Sequence, residues 1–185
     1  MTSVKHHGSK LAKHLIVYST TDGHTREICE RLQHVIEQNG HSVTLRAIDD
    51  VQTLDFDKII LGASIRYGKH HKKVYEFIAA HAQLLAQKPN AFFSVNVVAR
   101  KPAKNEPDTN PYVRKFLREI PWQPQQVAIF AGKIDYPRYR FWDRQIIRLI
   151  MWMTKGPTDP NAVVDFTDWS QVEAFGHRVS EMDTD

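Results

Sequence analysis

Cysteine is almost missing: Cys29 is the single one among 185 residues. One thiol makes no internal disulfide and matches none of the paired spacings that hold structural zinc. Packing must therefore stabilise the chain, and a reducing compartment, the cytoplasm, is expected. Long apolar runs are missing too. None approaches the roughly 20 residues of a spanning helix, so the chain is not expected to be integral to a membrane. The start, residues 1–13, carries Lys5, His6, His7, Lys10 and Lys13 and no apolar run that could act as a signal peptide. It reads as a disordered extension ahead of one domain over 14–181. Repeats and low-complexity tracts are absent, and a hydrophobic content of 42% suits one core of self-sustaining size. Absent as well are G-x-x-x-x-G-K-S/T and G-x-G-x-x-G, which argues against a nucleoside triphosphate in a P-loop and against a dinucleotide wrapped on the first turn.

What is present is unevenly charged. The formal net charge is only +4, yet residues 100–155 hold twelve Lys/Arg against five acids, a local +7 that leaves −3 for the remainder. Such asymmetry inside one domain points to a surface meant for something anionic. Nucleic acid is not expected, because no recognised binding motif accompanies the charge. No metal is expected either, since His70-His71 has no third ligand at a convincing spacing.

Five short apolar, β-branched or aromatic runs read as strands buried on both faces: His14 to Tyr18, Ser42 to Arg46, Lys58 to Ala63, Ala91 to Val98 and Val127 to Ala131. Helical stripes separate them. Thr25 to Gln38 aligns Ile28, Leu32, Val35 and Ile36 before Asn39-Gly40, and Lys72 to Gln87 aligns Val74, Phe77, Ile78, Leu84 and Leu85 before Pro89. Tyr112 to Arg118 and Trp169 to Glu181, the latter capped by Asp168, complete the set. This alternation predicts an α/β domain: a doubly wound, five-stranded parallel sheet that binds ligands at the carboxyl ends of its strands.

The loop after the first strand is Ser19-Thr20-Thr21-Asp22-Gly23-His24-Thr25. Hydroxyls, a glycine and a fresh helix N-terminus supply what a phosphate monoester needs, and the lack of a P-loop lysine fits a mononucleotide such as FMN. The same residue types also make an ordinary N-cap and turn.

Position by position, Ile16-Val17-Tyr18, Thr20, Gly23, Thr25 and Leu32 resemble the flavodoxin signature, with Cys29 standing where that signature has a small alanine. The resemblance implies strand order 2-1-3-4-5 and two flavin-contacting loops: Ser64-Ile65-Arg66-Tyr67-Gly68 after strand three, and Ser94-Val95-Asn96 after strand four. Longer strings narrow the family. Gly62 to Gly68, Ser94 to Pro102 and Tyr136-Pro137-Arg138-Tyr139-Arg140 closely resemble the bacterial menaquinone-dependent protoporphyrinogen oxidases, flavodoxin-like enzymes of haem biosynthesis. The likeness runs from about Leu15 to Phe175. It implies FMN as cofactor, protoporphyrinogen IX as substrate, and menaquinone or ubiquinone as electron acceptor. Spare cations for the substrate's two propionates are expected at Arg66, Arg100 and Lys101. No general base stands out; His24, Tyr67 and His70 are candidates by position.

An insertion over about 133–162 separates Val127-Ala128-Ile129-Phe130-Ala131 from the apolar continuation Val163-Val164-Asp165-Phe166, as in long-chain flavodoxins. On a wheel of about 100° per residue, Phe141 to Lys155 is helical with Arg144, Arg148 and Lys155 on a narrow stripe. Trp142, Ile146, Ile147, Leu149, Ile150, Met151 and Met153 fill the opposite arc. Such a helix can lie on an anionic membrane, with contacts expected from Trp142, Arg144, Ile147, Arg148, Met151 and Trp152, so the domain is expected to be peripheral on the cytoplasmic face of the inner membrane. A homo-oligomer is left open. Two other readings also stay open, a flavodoxin-type electron carrier and an NAD(P)H:quinone reductase, because fold alone does not set function. A pI near 9.2 speaks against the carrier.

Overall fold

The computed structural model describes residues 11–183. In chain order the elements are β1 (Lys13–Ser19), α1 (His24–Gln38), β2 (Ser42–Ala47), β3 (Lys58–Arg66), β4 (Lys69–His70), α2 (Lys72–Ala86), β5 (Asn90–Val95), α3 (Pro111–Glu119), β6 (Gln126–Phe130), β7 (Lys133–Asp135), α4 (Phe141–Met153), β8 (Val163–Asp165) and α5 (Trp169–Ser180). Of the extension expected over 1–13, only 11–13 fall among the described residues. There Ala12 is buried and donates its N–H to His41 Nδ1 at 3.2 Å, and Lys13 already opens β1.

Five parallel strands run in the order β2-β1-β3-β5-β6, which is the expected 2-1-3-4-5 winding once the two-residue β4 is set aside. Ile16 lies between Leu45 and Ile60, Ile60 is opposite Ala91, and Phe93 is opposite Ala128. Side chains alternate across the sheet, as a strand period of two demands. Leu15, Val17, Ile59, Leu61 and Phe92 pack with Val74, Phe77, Ile78, Leu85 and Phe116 of α2 and α3. Ile16, Ile60, Ala91, Phe93 and Phe130 pack on the other face with Ile28, Leu32 and Ile36 of α1 and Val172, Phe175 and Val179 of α5. Each such fully buried side chain is worth about 1.5–3 kcal/mol, so both apolar layers are needed to order the sheet. Cys29 belongs to the second layer, fully buried, and burial pushes its thiol pKa up; it is a packing atom, not a nucleophile.

Two expectations are corrected. The strand expected to run to Val98 stops at Val95, because Asn96 caps a 3-10 turn over Val97–Arg100 by accepting the Ala99 N–H at 3.1 Å. The apolar run Val163-Val164-Asp165 does not rejoin the parallel sheet. It pairs antiparallel with Lys133-Ile134-Asp135 as a separate ribbon, with α4 carried between the two strands. Ile134, Tyr136, Tyr139 and Met151 give this ribbon and helix a small core of their own. That core holds α4 at the carboxyl end of the sheet.

Candidate functional site

A cavity of about 530 Å³ opens at the carboxyl ends of β1, β3 and β5, where the winding reverses. Thr20, Thr21, Asp22, His24 and Thr25 line one end; Ser64 to Gly68 and Val95 to Val98 form its flanks. Tyr139, Ile147, Ile150, Met151, Met153 and Thr154 close the other end.

The first end is an open helix terminus. Gly23 precedes α1 with φ +89, a left-handed conformation that suits glycine, and its N–H donates to Thr20 Oγ1 at 2.9 Å. No side chain caps α1, so its first-turn amides stay available. Thr25 is 1% exposed and its Oγ1 is buried without a hydrogen-bond partner. Buried hydroxyls are nearly always paired, and this one lies on the cavity wall beside open amides. An oxyanion bound at this end would supply the missing acceptor. Asn96 repeats the pattern on the flank: its Oδ1 accepts from Ala99 N and Asn110 Nδ2, while its Nδ2 is a buried donor with no partner.

Arg66 and Tyr67 stand at the tip of the β3–β4 hairpin. Tyr67 (φ +52) and Gly68 (φ +80) are both left-handed, the pair that a two-residue type I′ turn requires. Arg66 Nη2 donates to Asp22, which ties the hairpin to the phosphate-loop segment, and its Cζ lies 5.3 Å from the Tyr139 ring centroid. The Tyr67 hydroxyl donates to Asp143 in the first turn of α4. Desolvation, reinforced by that carboxylate, pushes its pKa up to about 12, so near neutral pH the phenol is a proton-bearing donor.

Some expected contributors lie elsewhere. Ser94 is fully buried, with its hydroxyl 2.9 Å from His70 Nε2, and neither residue lines the cavity. Burial among Phe92 and Phe116 lowers the His70 pKa to about 3, which removes it as a base. Ser19, the last residue of β1, and Gly23, whose left-handed turn leads into α1, are not on the wall. Arg100 is not spare: Nη1 donates to Val97 O at 3.0 Å, and Nη2 to both Thr154 O and Thr154 Oγ1 at 3.0 Å, clamping the end of α4. Lys101 is likewise off the wall. His24 does line it, but its ring nitrogens face Glu27 at 2.8 Å and Thr167 at 2.6 Å.

α4 is turned differently from the expected wheel. Ile147 and Met151 face inward onto the cavity, Met151 being 4% exposed. Arg148 donates to Thr158 O at 2.8 Å, and the Arg144 Nε is buried. The exposed face is apolar instead: Phe141, Trp142, Ile146, Leu149, Trp152 and Met153. A wheel gives angles but not which arc the ribbon covers. Sequence reasoning also passed over Tyr112, Gly132, Lys133, Ile134 and Tyr139 as wall residues. Tyr139 alone carried a signal, the string Tyr136 to Arg140.

This architecture, with an uncapped helix after β1 and two glycine-bearing or polar loops at the switch point, defines a flavodoxin-type nucleotide site. The flavodoxin domain model matches residues 15–161, and the chain belongs to that family. FMN is the cofactor that the family and the cradle indicate, and the orphaned Thr25 and Asn96 atoms fit it. Within the family the chain is 44% identical over 173 residues to "Protoporphyrinogen IX dehydrogenase (quinone)" of Escherichia coli K12, covering 92% of this chain and 96% of that one. The protein of the same name from Leishmania major is 41% identical over 171 residues, 90% of this chain and 74% of that one. Oxidised Flavodoxin 1 from Bacillus cereus shares the fold, with a TM-score of 0.54 at 16% identity over 92% of this chain and 99% of that one.

Proposed function

We propose that this chain oxidises protoporphyrinogen IX to protoporphyrin IX and passes the electrons through FMN to a quinone. The observation that carries the reading is the near full-length 44% identity to a quinone-dependent protoporphyrinogen IX dehydrogenase. The cavity supports it. The open amides of α1 with Thr20, Thr21 and Thr25 would hold the FMN phosphate, and the Ser64–Gly68 and Val95–Asn96 loops would flank its ring. FMN supplies the redox chemistry itself. The chain orients and encloses: Ile147, Ile150, Met151 and Met153 offer an apolar wall to a large tetrapyrrole or a quinone ring, and Tyr67 keeps its phenolic proton against Asp143.

The quinone fits a membrane pool, and the enzyme fits a peripheral place in haem biosynthesis. No described helix is long and apolar enough to cross a membrane. The outward face of α4 can nevertheless lie in the headgroup layer, with exposed Arg138, Arg140 and Lys155 beside it for anionic lipid. A six-residue apolar face with two tryptophans is otherwise an unusual surface to leave to water.

The test is anaerobic turnover of the FMN-reconstituted protein with protoporphyrinogen and menadione or menaquinone, beside NADPH as a competing donor. Porphyrin fluorescence should appear only with the porphyrinogen and a quinone. Turnover with NADPH and none with porphyrinogen would reject the reading in favour of an NAD(P)H:quinone reductase.

A further inference from the structure

Two side chains with a fixed positive charge line the cavity, Arg66 and Lys133, and both are arranged around Tyr139. Tyr139 is 9% exposed. The Arg66 guanidinium lies over its ring at 5.3 Å, and its hydroxyl donates to the Lys133 carbonyl at 3.4 Å. One tyrosine thus spaces the two residues, one at its face and the other at its tip.

Both cations have capacity left. Arg66 commits Nη2 to Asp22, but Nη1 makes no hydrogen bond among the described residues; Asp143 Oδ2 stands 3.8 Å away, too far for one. Lys133 is half-buried and forms no ion pair among the described residues. Its opposite neighbour in the ribbon, Asp165, accepts instead from Thr167 N at 2.9 Å and Trp169 Nε1 at 3.3 Å. Lys133 thus lines a wall rich in isoleucine and methionine with no carboxylate of the described residues committed to it, which leaves it to an anion entering the cavity.

We propose that Arg66 and Lys133, spaced by Tyr139, are a two-pronged carboxylate subsite that receives the two propionates of the porphyrinogen. The assignment rests on the reading that this cavity takes a tetrapyrrole. It replaces Arg100 and Lys101, which the fold draws away from the wall. A guanidinium edge and an ammonium suit the task, the first giving direction and the second charge. The cofactor's phosphate shares the oxyanion chemistry, so the experiment must separate the two sources.

The experiment titrates FMN-loaded protein with protoporphyrin IX and with its dimethyl ester, reading porphyrin fluorescence, and titrates FMN and riboflavin separately. Wild type should bind the diacid at least about tenfold more tightly than the ester. Lys133→Gln should weaken the diacid by about tenfold, the usual scale of a lost hydrogen bond to a charged group, and leave ester, FMN and riboflavin unchanged. Arg66→Gln should weaken the diacid similarly. Asp143→Asn, which removes a competing carboxylate, should tighten it about two- to fivefold. The subsite is overturned if Lys133→Gln weakens FMN but not riboflavin, if it weakens ester and diacid alike, or if it changes nothing. Wild type binding ester and diacid equally rejects the subsite alone. Wild type binding neither rejects the tetrapyrrole reading with it.

Discussion

At the cofactor end of the cavity, the short turn from Thr20 to Gly23 and the first turn of α1 present backbone amides and neutral hydroxyls, and Thr25 keeps a hydroxyl without a partner. At the α4 end the wall is drawn from residues as far apart as Arg66, Lys133, Tyr139 and Thr154, and side-chain contacts between separate segments hold it in place. The first end is set by local chain geometry. The second depends on the ribbon, on the Arg100 clamp to Thr154 and on the Asp143 contact to the hairpin. Local geometry suits a constant ligand part such as a phosphate. A wall built from side chains of separate segments suits a substrate, whose shape it must match.

The largest effect should come from the outer face of α4. Replacing Trp142, Leu149 and Trp152 together by Glu removes three apolar anchors worth about 1.5–3 kcal/mol each, so binding to anionic vesicles should fall by more than about a hundredfold. Flotation assays should show this loss while the yellow colour of the FMN-loaded protein persists. Unchanged flotation would reject membrane docking through this face.

At the cradle, Thr25→Val should weaken FMN by about ten- to a hundredfold, since a hydrogen bond to a charged group is worth about 1.5–3 kcal/mol, and leave riboflavin unaffected. The same change should raise the melting temperature of the FMN-free protein, because an unpartnered buried hydroxyl is removed. Opposite signs in one variant are the signature of a site whose atom is reserved for a ligand.

Acidification should spare the difference between the two ends. Burial lowers His14 to about 4 and His70 to about 3, from an ordinary value of 6.5. Both are neutral in the fold, so their stabilising contribution is present above pH 6.5 and is lost as pH falls through those folded values, with protons taken up on unfolding. Urea unfolding at pH 7 and pH 5 should show that decline. Because neither histidine lines the cavity, FMN should be released together with the fold rather than ahead of it.

The smallest effect should follow Arg100→Gln, which frees Thr154 at a cost of about 1–2 kcal/mol. Hydrogen exchange should quicken at the Thr154 and Gly156 amides while the Glu27 amide of α1 keeps its protection. Equal change at both places would mean that the two ends are mechanically one.

That contrast also explains what could be read from sequence. The winding, the five strands and the cradle were legible because each rests on local patterns: apolar runs of strand length, a helix stripe such as Ile28-Leu32-Ile36, and a hydroxyl-rich turn before it. The wall was legible only in part. Arg66 and Tyr67 follow strand three in a string that the resemblance marked, whereas the orientation of α4 depends on which side Tyr136, Tyr139 and Ile134 cover. The resemblance named Arg100 and Lys101, in the loop after strand four, while Lys133 stood undistinguished among the twelve cations of residues 100–155. Charge identifies candidates, but only packing decides which of them reach the cavity.

The most direct measurement is a half-reaction. FMN-loaded protein on anionic vesicles, mixed anaerobically with protoporphyrinogen, should lose its yellow colour and regain it when menaquinone is supplied in the bilayer, with protoporphyrin fluorescence rising in step. A flavin that stays yellow with porphyrinogen, or bleaches but is not recoloured by the quinone, would contradict the account.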